Sequence, residues 1–238
     1  NFASNKSASS CGSDGPRWIE NALELLDQPG EWYLNEETQI LYYMPRSWEN
    51  MADATFMLPL MDDYDPDGAI RGLMHIEGTD YDNMVHNIRF EGITFADTTW
   101  TRPSTQHGHS DAQNNHIRES GDRLPDAAIT VAKANGVCFT GCTFTRLGIT
   151  AVKMVRGVQN SHFVGNHFYD ISGGAINIGD PLTSDKNNTN PSDPRMMMKN
   201  CDVLNNYIHN TGADFDSSAA ISLGFGPNMD FSYNEIFN

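Results

Sequence analysis

GVCFTGCTFTRL (Gly136–Leu147) and NSHFVGNHFYDI (Asn160–Ile171) superpose residue for residue, 24 positions apart. Three further segments fall into the same register: NIRFEGITFADT from Asn87, NCDVLNNYIHNT from Asn200 and NMDFSYNEIFN from Asn228. Position four reads Phe90, Phe139, Phe163, Val203, Phe231, and position nine reads Phe95, Phe144, Phe168, Ile208, Ile236. Position six begins Gly92, Gly141, Gly165, and position seven ends Asn166, Asn206, Asn234. A template recurring at this period marks a solenoid, whose units bury their apolar faces only against one another.

Between these segments lie shorter runs that alternate small, apolar, polar, apolar: Ala128–Val131, Ala151–Met154, Ala175–Ile178 and Ala220–Leu223. Period-two alternation puts one face inward and the other outward. Ile129/Val131, Val152/Met154, Ile176/Ile178 and Ile221/Leu223 are the inward set. The alanines with Thr130, Lys153, Asn177 and Ser222 are the outward set. A repeat of this length fits one turn of an all-β, right-handed parallel β-helix, with coils stacked roughly 4.8 Å apart. Leucine-rich repeats need a different leucine/asparagine spacing, and propeller blades need longer, antiparallel units. Aligned asparagines at a bend suit the β-helix, because their amides bond from coil to coil.

The chain carries 15 Lys+Arg against 31 Asp+Glu, a formal charge of -16. That balance excludes nucleic acid as a partner, since phosphates demand basic residues. It also disfavours uncompensated binding of a polyanionic polysaccharide. There is no apolar run long enough to span a membrane. Cys11, Cys138, Cys142 and Cys201 have no metal-ligand spacing and read as free thiols, Cys138 and Cys142 sharing one strand segment.

Residues 1–17 read as an irregular polar segment. An N-terminal element over 18–60 combines a helix (Glu20–Gln28), stopped by Pro29-Gly30, with a hairpin of Trp32–Leu34 and Ile40–Tyr43. The β-helix occupies 61–238. Neither an initiator Met nor a signal peptide opens the sequence, and FSYNEIFN stops within a repeat, so an excerpt truncated at the C-terminus is expected. Asp62-Asp63-Tyr64-Asp65-Pro66-Asp67-Gly68 begins like a calcium loop, but Met74 stands where the closing carboxylate belongs. An acidic solvated loop is the expectation, with calcium the minor alternative and no other cofactor. Long loops at 99–126 and 180–199, and a shorter one at 211–217, all adjoin the small-residue strand column. Long loops in an economical repeat carry function, and small outward residues leave room for a ligand.

The stretch ENALELLDQPGEWYLNEETQILYYMPR, with HNIRFEGITFADTTWTRPS, GHSDAQNN, ISGGAINIGD and NNYIHNTGADFDSSAAISLG, resembles glycoside hydrolase family 141 over nearly all of 18–238. The resemblance implies a secreted or otherwise extracellular or periplasmic β-helix enzyme with fucosidase or xylanase activity on a carbohydrate substrate. It also implies further coils beyond NEIFN, ending in a glycine/tryptophan-rich strand.

Glycosidic hydrolysis needs two carboxyl groups, one as acid and one as nucleophile or base. Asp180 leads the candidates, leaving the strand Ile176–Ile178 where the second long loop departs. Asp214 and Asp216 approach the same face one unit later, and their loop must fold inward to meet Asp180. For substrate binding the candidates are Trp100 as a stacking platform, His107, His109, Asp111 and Gln113 on the first long loop, and Lys153 and Asn177 on the strand floor. His107 and His109 form a His-x-His pair without a third ligand, so hydrogen bonding to substrate is favoured over a metal. Two alternatives stand beside the hydrolase. A polysaccharide lyase or epimerase would use Lys153, Arg146 or His109 as base; a non-catalytic carbohydrate-binding solenoid would lack a close carboxylate pair. The sequence leaves oligomeric state open.

Overall fold

Alternating residues around a polar turn pair as an antiparallel hairpin, β1 (Trp32–Asn35) with β2 (Ile40–Tyr43), in register from Trp32↔Tyr43 to Asn35↔Ile40. Its turn is closed by Asn35, whose Oδ1 accepts from the Glu37 and Thr38 N–H groups at 3.1 and 3.0 Å. The computed structural model describes residues 21–35, 37–58, 72–99, 124–180, 186–215 and 218–238. The chain divides into two units, 1–58 and 59–238.

The helix expected over Glu20–Gln28 is not formed among its described residues, which hold only a 3-10 turn at Leu23–Leu25. Asn21 takes a left-handed φ of 52° and its Oδ1 accepts from Leu34 N–H, so the chain cannot enter a helix there. At the other end the Glu31 carboxylate captures the N–H groups of Asp27 and Gln28 at 2.9 and 2.8 Å. Local side-chain acceptors have outcompeted helical carbonyls.

The second unit is built from three parallel sheets. Sheet I contains β3 (Met74–Glu77), β6 (Ala127–Ala132), β9 (Thr150–Val155), β12 (Ile176–Ile178) and β15 (Ile221–Leu223). Sheet II contains β4 (Val85–Glu91), β7 (Ala134–Thr140), β10 (His162–Val164) and β13 (Asp202–Leu204). Sheet III contains β5 (Thr94–Ala96), β8 (Thr143–Leu147), β11 (His167–Ile171), β14 (Tyr207–His209) and β16 (Glu235–Phe237). Successive strands are dealt to the sheets in rotation, so five circuits of chain visit I, II and III in turn. In the last circuit the sheet II strand shrinks to a single bridge, Asp202↔Asp230.

The two aromatic columns read from the sequence are realised by this pairing. Phe90, Phe139, Phe163 and Val203 are direct partners in sheet II; Phe95, Phe144, Phe168, Ile208 and Ile236 are partners in sheet III. Their rings stack along the columns at 4.4 to 5.3 Å between centroids, and edge-on between columns at 5.8 to 6.4 Å. Each such contact adds about 0.5–1.5 kcal/mol beyond its area burial. Ile129, Val131, Val152, Met154, Ile176 and Ile178 close the core from sheet I with no exposure.

Left-handed residues recur in each circuit at three fixed positions of the template. Position one holds Asn87, Gly136, Asn160, Asn200 and Asn228. Position six holds Gly92, Gly141, Gly165, Asn205 and Tyr233, and position eleven Asp97, Arg146, Asp170, Asn210 and Asn238; φ runs from 50° to 76° in all fifteen. Gly and Asn tolerate this region best, which explains the glycine column that first betrayed the repeat.

A buried amide ladder joins the bends between sheets II and III. Asn206 Oδ1 accepts from Asn166 N and Nδ2, both at 2.9 Å, and Asn234 Oδ1 accepts likewise from Asn206 at 2.9 Å. Each Nδ2 also donates across to a carbonyl, Phe139 O for Asn166 and Phe163 O for Asn206. At the head of the ladder Cys142 fills the asparagine position: its N–H donates to Asn166 Oδ1 and its Sγ to Phe90 O. A parallel ladder of partly buried amides runs through Asn135, Asn160, Asn200 and Asn228. Cys138, Cys142 and Cys201 are free thiols, and burial pushes the Cys201 thiol up to about 11. Cys11 and the acidic run Asp62–Gly68 lie outside the described residues. Met74 is a core-packing strand residue in β3 rather than a loop ligand.

Two outcomes test this account. Asn206→Ala strips a buried acceptor from Asn166 and a donor from Phe163 O, and should cost about 2–4 kcal/mol in urea unfolding. Tyr233, 88% exposed and left-handed, gains nothing from burial, so Tyr233→Asn should raise stability by roughly 0.5–1 kcal/mol.

Candidate functional site

All three long connections adjoin sheet I: 99–126 leads into β6, 180–199 leaves β12, and 211–217 leads into β15. The outer face of this sheet carries one polar column fixed by register, His75↔Thr130↔Lys153↔Asn177↔Ser222. Beside it run Ala128, Ala151 and Ala175. These alanines are not the open floor expected from the sequence: they are 0 to 3% exposed and join the core cluster, and Asn177 is fully buried. The covered floor leaves the two rims of the sheet as the places where chemistry-bearing groups gather.

At the upstream rim, Lys153 Nζ donates to Pro125 O at 3.0 Å and lies 3.8 Å from Asp126 Oδ1. One circuit past β9, Asp214 is anchored to the bend before β12: its carboxylate accepts from the Ser172 hydroxyl, and the Asp214 and Phe215 N–H groups donate to Ser172 O at 3.2 and 3.0 Å. Phe215 is buried and packs with Ile149 as a small separate cluster, pinning the 211–217 connection.

Opposite, at the downstream rim, Glu77 gathers three partners: His75 Nε2 at 2.7 Å, Lys133 Nζ at 2.9 Å and Arg156 at 2.7 Å. Burial alone would push its carboxyl up, but hydrogen bonds from Lys133 and His75 and the Arg156 charge hold it below the ordinary range. Asp180 is half-buried and, two steps beyond the register of β9 with β12, falls opposite Arg156. Its backbone is held close to the fifth circuit: a Cβ on Gly224 would fall 2.9 Å from the Asp180 carbonyl. Arg195 clasps Asp82 at 2.5 Å and Asp193 at 2.7 Å, while buried Gln159 donates to Pro194 O and Met197 O. Those bonds tie the second long connection down along this rim.

The structure therefore separates two residues that the sequence grouped. Ser172, the anchor of Asp214, and Asp180 stand at opposite ends of β12, so Asp214 as described does not meet Asp180. Glu77 shares the rim of Asp180 but lies three circuits away, about 14 Å at the usual strand spacing. Asp216, Trp100, His107, His109, Asp111 and Gln113 lie outside the described residues. Arg146, a base candidate under the lyase reading, is locked bidentately to Asp97 at 2.6 and 3.0 Å, with its own pKa raised by that carboxylate. Sequence reasoning missed Glu77, Lys133 and Arg156. The signal was available, because Lys133, Arg156 and Asp180 each follow a sheet I strand at the same register position.

A family model described as "GH141 insertion domain" matches residues 7–46, within the first unit. A solved structure named "Glycoside hydrolase" superposes on the chain with a TM-score of 0.74 at 30% identity, over 91% of this chain. The chain resembles glycoside hydrolase family 141. It spans 39% of the length of that solved chain. No curated protein matches it. The family-model match falls on the stretch that holds the hairpin, and the superposition extends over most of the chain.

Because the folded Glu77 pKa is depressed, its contribution is complete above the ordinary value of 4.5 and is lost as pH falls through the folded value. Glu77→Gln should be less stable at neutral pH and show a shallower acid-side decline. Urea midpoints measured from pH 7 downward would read both effects.

Proposed function

We propose that this chain supplies circuits of a right-handed parallel β-helix glycoside hydrolase, secreted and acting on a plant or algal poly- or oligosaccharide with fucosidase- or xylanase-like specificity. The likeness to a solved glycoside hydrolase over 91% of the chain carries the reading. Rotation of strands among three parallel sheets supports the helical path, and parallel crossovers favour the right hand. Clustering of every long connection on sheet I supports that sheet as the substrate side.

Asp180 is the carboxylate assigned to acid, base or nucleophile work, standing where the second long connection leaves the sheet. Its partner is a carboxylate of the 211–217 connection, Asp214 or Asp216. The backbone bonds from Asp214 and Phe215 to Ser172 orient that connection, which must close across β12 around a bound sugar for the two carboxyls to meet. Substrate fills the space between them, with room for the one water that attacks the sugar directly or releases it from a glycosyl-enzyme. Trp100 offers an apolar ring to the C–H face of a pyranose. His107, His109, Asp111 and Gln113 offer donors and acceptors for its hydroxyls, as do Lys153 and Asn177 if the cover over the floor lifts. The lyase alternative loses Arg146, bound to Asp97, and finds the Lys153 ammonium already engaged by Pro125 O and Asp126.

Asp180→Asn in the full-length protein, assayed on a glycan panel, should lower turnover by about 10²–10⁴-fold with little change in KM. Unchanged turnover would remove Asp180 from the mechanism. Comparing Asp214→Asn with Asp216→Asn then identifies the partner as whichever loses turnover to the same extent.

A further inference from the structure

On the outer face of sheet III, away from the rims just described, two imidazoles from adjacent circuits converge. His167 on β11 and His209 on β14 place their Nε2 atoms 2.8 Å apart. Neither ring is loosely held. His209 is sandwiched between Tyr169 and Phe237, at 5.5 and 5.2 Å with planes within 8° on both sides. His167 rests against Tyr169 at 4.5 Å and Tyr207 at 5.1 Å. Both histidines are half-buried, while Tyr207 and Phe237 are about 40% exposed, so the pair lies at a surface that solvent reaches.

We infer that His167 and His209 form a two-point binding site for an imidazole-seeking divalent transition metal, with copper(II) the strongest taker. Two features support this. Two nitrogens on neighbouring parallel strands already converge, so little ordering is left for the ion to impose. Aromatic contacts hold each ring, stacked for His209 and tilted for His167, without using its nitrogens. Without metal, one Nε2–H donates to the other Nε2. To bind, the donating ring moves its proton to Nδ1, and two lone pairs face the ion. No group of three or more His, Cys, Asp or Glu suited to a metal occurs among the described residues. Water therefore completes the shell, which copper(II) and nickel(II) tolerate better than structural zinc does.

The test is copper(II) titration of the full-length protein carrying His107→Ala, His109→Ala and His116→Ala, which removes the competing imidazoles of the first long connection. Electron paramagnetic resonance should show one copper per chain with nitrogen ligands. His209→Phe keeps the stack between Tyr169 and Phe237 but has no ligand, and should abolish that signal and its accompanying thermal stabilisation. His167→Gln should do the same. Equal copper uptake by parent and variants, or an unchanged hydrogen-bonded pair in imidazole nitrogen NMR with copper present, would overturn the assignment.

Discussion

Asparagine side chains that donate and accept in the same direction as the backbone hold this molecule in register. Asn166, Asn206 and Asn234 repeat on successive circuits what the peptide groups do around them, receiving an N–H from one neighbour and giving one to a carbonyl. A slip of one residue would leave buried amides without partners, at about 1–3 kcal/mol for each group. It would also move every phenylalanine of the two columns to the opposite face, since strand alternation has period two. Apolar stacking supplies most of the attraction, while the amides dictate which alignment receives it.

Register imposes a further constraint at the rims. Whatever follows a strand on one circuit must sit about 4.8 Å from its counterpart on the next. Lys133 and Arg156 are such counterparts, with Lys133 N–H bonded to Arg156 O at 2.9 Å. Like charges so placed repel. Glu77 offsets this by receiving both cations, and Asp180 follows Arg156 as the next charge in the column. The downstream rim therefore reads carboxylate, two cations, carboxylate, in a protein otherwise dominated by acids.

The fold was legible from sequence because its determinants are local and repeated. Five copies of one template fix the phenylalanine columns, the bends and the amide ladder, and noise at one position, such as Val203 or Cys142, is outvoted by the others. The expected helix at Glu20–Gln28 had no such repetition. Its composition favoured a helix, yet single long-range bonds from Asn21 and within Asp27–Glu31 decided otherwise. Of the candidate site, the sequence shows which sheet the long connections adjoin, and that Asp180 leaves its strand while Asp214 precedes its own. Openness of the floor depended on what packs over Ala151 and Ala175, and alternation of residue size contains no information about that.

His167 and His209 illustrate the remaining gap. In the template they occupy positions eight and ten, one circuit apart, so no single segment shows them together. Only diagonal contact across parallel strands brings their nitrogens within hydrogen-bond distance. Tyr169, His209 and Phe237, by contrast, are direct partners at position ten, and their stacked faces leave the imidazole edge turned toward His167. Parallel strands built on one repeat thus have two kinds of neighbour. Direct partners are predictable from alignment and build the core; diagonal partners depend on ring orientation and appear only in three dimensions.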